Sequence, residues 1–156
     1  MLEQLGKDSE SGVIARGLHQ EVLACGSAKT LVQRDSGSLV ELDTLTGSIL
    51  TLPTPVKGMM FDVAVKLTNT SNSHIIKTGV AASEFLLGGV NMMTAASAVT
   101  LGVALDGTTH ITLTMNGTTT GGKIGTVLRF TAINDTQWVV TGLIEGDAAL
   151  ATPATT

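Results

Sequence analysis

With 156 residues, 43% hydrophobic and 14% charged, the chain holds enough apolar material for one core and too much for a disordered segment. Aromatics make up only 3%, so that core must rest on Val, Ile, Leu, Met and Ala, while eighteen Gly and many Thr favour strands and tight turns. A net charge of −4 with no block of Lys or Arg argues against direct nucleic-acid binding, which depends on phosphate neutralisation.

Residues 1–29 read as an N-terminal arm. Its apolar residues Leu2, Leu5, Ile14, Leu18, Val22 and Leu23 are too sparse to form a core alone, and are the expected contacts to a neighbouring protein or subunit. Ile14, Leu18 and Val22 at i, i+4 and i+8, after Ser9 and Ser11, mark a short helix that Gly12, Gly17 and Gly26 weaken. Charged Glu3, Lys7, Asp8 and Glu10 precede any apolar run, so no signal peptide is expected. Cys25 is the single cysteine, which excludes an intrachain disulfide and reads as an inert or buried thiol.

Residues 30–145 carry the strand signals of one domain. Turn chemistry at Asp35-Ser36-Gly37, Asp43 to Gly47 and Pro53 to Gly58 separates three short runs. In the third, Met59, Phe61, Val63, Val65 and Leu67 alternate with Met60, Asp62, Ala64 and Lys66, the period of a half-buried antiparallel strand. Phe85 to Leu105 lacks charge and is long enough to cross a bilayer, but its Gly, Asn, Thr and Ser content and acidic flanks favour a strand pair with a small-residue loop. No membrane association is expected.

Asp106-Gly107 between Val99, Leu101, Val103, Leu105 and Ile111, Leu113, Met115 predicts a β-hairpin. A second is expected where Asn134-Asp135-Thr136 joins Gly125–Ile133 to Gln137–Ile144. A faint echo between Gly58 to Gly79 and Gly125 to Gly142 suggests two related hairpins in opposed sheets. Residues 146–156 have low complexity and read as a short flexible C-terminal tail. The whole predicts an all-β, antiparallel, jelly-roll-like β-sandwich.

Candidate sites are few. Gly117-Thr-Thr-Thr-Gly-Gly122-Lys123 approaches a phosphate-binding loop, but Ile124 stands where the magnesium-holding hydroxyl belongs and a strand pattern follows, so a glycine-rich hairpin loop is expected. His19, His74 and His110 lack metal-ligand spacing; a zinc site with Asp62 or Asp106 is the sharper reading, solvent-facing histidines the plainer. No G-x-S-x-G occurs, and Asp35-Ser36-Gly37 has no nearby base. Asn69, Asn116 and Asn134 open N-x-[ST] matches typical of turn composition. Phe61, Phe130 and Trp138 are expected core or interface anchors. No catalytic residue, metal or cofactor is expected.

The order Asp35-Ser36-Gly37, Leu42-Asp43, Gly47, Thr51-Leu52-Pro53-x-Pro55, Gly58, Phe61, closed by Trp138, Val140 and Gly142, resembles the pattern of small structural proteins of tailed bacteriophages. It spans about residues 30–145 and contains no catalytic motif. The resemblance implies a capsid decoration (cement) protein: a trimeric jelly roll on the outer surface of the virion's capsid, bound to the major capsid protein. The rival it implies is a phage fibre, spike or receptor-adhesion module.

Overall fold

The computed structural model describes residues 19–94, 97–147 and 149–156. Those residues form twelve strands in two sheets. They are β1 (Val22–Ala24), β2 (Ala28–Thr30), β3 (Leu39–Leu42), β4 (Ile49–Thr51), β5 (Met60–Val65), β6 (His74–Lys77), β7 (Phe85–Thr94), β8 (Ser97–Asp106), β9 (Thr112–Met115), β10 (Val127–Ala132), β11 (Gln137–Gly146) and β12 (Ala154–Thr155). One sheet runs β1-β3-β5-β10-β11-β7-β8, the other β12-β9-β6-β4-β2. The expected all-β fold is therefore present.

Its strand directions differ from the expectation. β1 with β3, β3 with β5, β2 with β4, β4 with β6, and β7 with β11 pair in parallel, so both sheets are mixed rather than antiparallel. From β1 to β6 successive strands fall in opposite sheets, and each pairs with the strand two positions along the chain. This stretch is a flattened parallel coil. Alternation along one strand reports which face is buried but not which neighbour, or which direction, completes the ladder.

The hairpin expected across Asn134–Thr136 forms as β10 and β11, in register from Val127↔Leu143 to Ala132↔Trp138. Phe85 to Leu105 is the antiparallel pair β7 and β8. Asp106-Gly107 makes no hairpin: the chain turns there from β8 in one sheet to β9 in the other. The Asp106 carboxylate instead accepts the N–H groups of Thr108 and Thr109, an Asx-type turn that redirects the chain. The internal echo also fails, because β5 and β6 lie in different sheets whereas β10 and β11 pair.

The core lies between the sheets. Period two in β5 buries Phe61, Val63 and Val65; β10 and β11 add Leu128, Phe130, Trp138, Val140 and Ile144; the facing sheet supplies Leu50, Ile76, Leu113 and Met115. The rings of Phe61 and Trp138 pack tilted at 48° with centroids 5.7 Å apart, a favourable edge-biased arrangement. Leu101 is partly buried against this core and Ile111 half-buried, whereas the Val99 side chain lies outside the described residues.

Both ends depart from the expected arm and tail. Residues 22–24 and 28–30 are strands of the two sheets, so the described part of the arm belongs to the body, and Val22 sits in a strand rather than a helix. Leu2, Leu5, Ile14 and Leu18 lie outside the described residues. At the other end β12 pairs with β9, Thr118 O and Thr119 O accept the N–H groups of Asp147 and Ala151, and Leu150 packs on the core. The tail is tied down, not free.

Candidate interaction face on the seven-stranded sheet

The strand period that buries Phe61, Phe130 and Trp138 turns their neighbours outward. β5 presents Met60, Asp62 and Ala64; β10 presents Val127, Arg129 and Thr131. Register sets these in rows across the sheet. Ala64, Val127 and Leu143 lie side by side, as do Thr131, Val139 and Leu87. Between these rows run Leu39, Asp62, Arg129 and Thr141. Val127 is 51% exposed at the centre of its row. The outer face is thus apolar across the centre of these rows, with the Asp62–Arg129 pair between them and Glu41, Asn91 and Asp106 further along the rows.

That pair is bidentate. Arg129 donates from Nε to Asp62 Oδ1 at 2.7 Å and from Nη2 to Oδ2 at 2.9 Å. Gln20 Nε2 donates to the same Oδ2 at 2.7 Å and to Gly37 O at 3.1 Å, tying the described N-terminus onto the face. The guanidinium holds the Asp62 carboxyl below the usual carboxylate range, with burial opposing and Gln20 assisting. Nearer the edge, Lys66 Nζ donates to Glu41 Oε2 at 2.7 Å. A shallow depression of about 410 Å³ opens here, lined by Gln20, Leu39, Asp62, Val127, Arg129 and Thr141.

Most residues singled out in the sequence lie elsewhere. Phe61, Phe130 and Trp138 are fully buried core anchors. Val22 is 54% exposed on the outer face of β1, while Leu23 points inward against the core. His74 corrects the solvent-facing reading: it is fully buried, its Nδ1 accepts the Ser48 N–H at 3.1 Å, and its Nε2 donates to Leu67 O at 2.9 Å. Burial lowers its pKa, so the ring is a neutral brace. Among the described residues no three His, Cys, Asp or Glu side chains gather as a metal site. Cys25 is buried, and burial, then Asp43, pushes its thiol up to about 11.

The glycine-rich loop is not a hairpin either, since it carries the chain from β9 across to β10. Asn116 Oδ1 accepts the N–H groups of Thr118 and Thr120, and Gly117 N–H donates to Gly121 O. Gly117 has φ +82, and a Cβ there would run into the Asn69 carbonyl oxygen. Lys123 is held by Asp147 at 2.6 Å, and strand β10 follows where a phosphate loop needs a helix. Asn69 is buried with its amide donating to Met115 O, which removes it as a glycan acceptor.

Sequence reading missed the Gln20–Asp62–Arg129 constellation. The alternation at Met59–Leu67 already set Asp62 opposite Phe61. Its partners come from strands and segments that only the sheet order brings together. Comparison with protein-family models, curated proteins and solved structures found no match for the chain in any of the three.

Proposed function

We propose that the protein is a non-enzymatic structural module that binds the outer surface of a phage capsid as a homotrimer and staples neighbouring major capsid subunits. The observation that carries this reading is the outer face of the seven-stranded sheet, an apolar surface whose central charges are already paired within the chain. Such a face suits protein–protein contact. Multivalent attachment then turns modest single contacts into firm retention on a symmetric shell. The resemblance to phage decoration proteins supports the role; with five parallel pairings, it does not extend to jelly-roll connectivity.

The test is rebinding to capsids stripped of their decoration. The full chain is expected to cosediment with the shells, and a chain starting at His19 to fold equally well but bind weakly. Removing residues 1–29 instead takes β1 and most of β2 and should lower thermal stability. No cosedimentation by the full chain would defeat the decoration reading. The second reading, a fibre, spike or receptor-adhesion module, is favoured by the parallel coil of β1–β6, a winding suited to elongated β-solenoids.

A further inference from the structure

We infer that the outer face of the seven-stranded sheet is the surface by which one copy of this chain binds another. The inference rests on the self-association proposed above and names a contact for it. A face laid on the same face of a second copy is two-fold, so this contact makes a dimer and a trimer needs another surface. Three properties of the face point to a second copy as the occupant.

The first is the makeup of the outer face. All-parallel sheets are ordinarily covered on both faces, whereas a sheet with antiparallel pairings, like this one with three of each, can leave one face to solvent with polar residues outward. Here the inner face meets the five-stranded sheet, while Val127 and Met93 stand 51% and 43% exposed on the outer side. The strands alternate as in a singly covered sheet, yet Ala64, Val127, Leu143, Val139 and Leu87 give its outward side more apolar surface than a solvated face needs.

The second is charge. The protein carries −4 overall, so two copies repel at most approaches. On this face the carboxylates of β3 and β5 each have their own cation, Glu41 with Lys66 and Asp62 with Arg129. Among the described residues, the outward carboxylates of β8 and β11, Asp106 and Glu145, stand near the strand ends. A like surface laid on this one meets paired charge and apolar side chains, and needs no ion from its partner.

The third is area. Each residue of a sheet covers roughly 16 Å², from about 3.3 Å along the strand and about 4.8 Å across. Three ten-residue strands and four shorter ones then present roughly 800 Å², close to what each partner gives a standard stable interface. The depression beside Val127 gives a projecting side chain of the partner a place to seat.

Sedimentation equilibrium at tens of micromolar, run beside thermal unfolding, tests this. The full chain is expected above monomer mass. Val127→Glu and Leu143→Glu, which put a carboxylate in the apolar row, should each weaken association at least tenfold. Leu45→Glu, at a 51%-exposed site in the turn between β3 and β4, should leave association unchanged. If a Glu variant unfolds, the paired variant Val127→Thr with Leu143→Asn, each close in shape to the residue it replaces, should still weaken association. A full chain that stays monomeric overturns the trimer reading and this contact together. An oligomer that every face variant preserves overturns only the contact. An oligomer lost on starting the chain at His19, but kept by the face variants, assigns the contact to residues 1–18 and also overturns it.

Discussion

Among β1–β6 each strand pairs with the one two positions along the chain, whereas β7 and β10 each pair with the strand that follows them. The contrast shows in the registers: Val22 pairs with Leu39 and Ile49 with Ile75, while Ala132 pairs with Trp138. The coil must close long loops before its ladders form, and the hairpin closes a short one. The two regions feed one core, yet they should contribute to folding at different times.

The largest effect is expected where the hairpin anchors that core. Trp138→Ala should cost about 3–5 kcal/mol in urea unfolding, since a fully buried indole and its contact with Phe61 are lost. In the coil, Leu50→Ala should cost about 2–5 kcal/mol by the same cavity mechanism. Stopped-flow kinetics separate the regions: Val140→Ala in β11 should chiefly slow folding, and Leu50→Ala chiefly speed unfolding. Equal partition of both effects would erase the distinction between coil and hairpin.

A smaller effect distinguishes the coil by pH. His74 braces β4 and β6 only when neutral, because protonated Nδ1 would meet the Ser48 N–H donor to donor. Burial lowers its folded pKa below 6.5, with Leu67 O and the nearby Asp43 charge opposing. The unfolded chain therefore takes the proton first, so stability is full above 6.5 and falls as pH drops beneath it. His74→Gln should flatten that slope in thermal melts, whatever it does to stability at neutral pH. The smallest effect belongs to the outer face: Asp62→Asn should cost about 0–1 kcal/mol, because Arg129 is 54% exposed and solvent screens the pair. Any larger loss would make this pair part of the scaffold.

What the sequence disclosed divides along the same line. Alternation at Met59–Leu67 and the Asn134–Thr136 turn were legible because each is settled by residues close in the chain. The coil was not, since a short apolar strand reads alike in parallel and antiparallel pairing. Asp106-Gly107 misled for a related reason: its Asx turn serves equally to reverse the chain in one sheet or pass it to the next. Val22–Ala24 and Ala154–Thr155 were too short to register as strands, and take their structure from the partners they meet. On the outer face, Asp62 was visible as an outward residue, but Gln20 and Arg129 reach it only through the sheet order.

Of the eleven connections between the twelve described strands, only β7–β8 and β10–β11 stay within a sheet; the other nine pass from one sheet to the other. The two layers are laced together like the sides of a shoe. Neither can peel away as a unit while the other persists, because each pass of the chain holds a strand in both. Native-state hydrogen exchange should accordingly find the central strands of both sheets, β5 and β6 among them, opening together at the free energy of global unfolding.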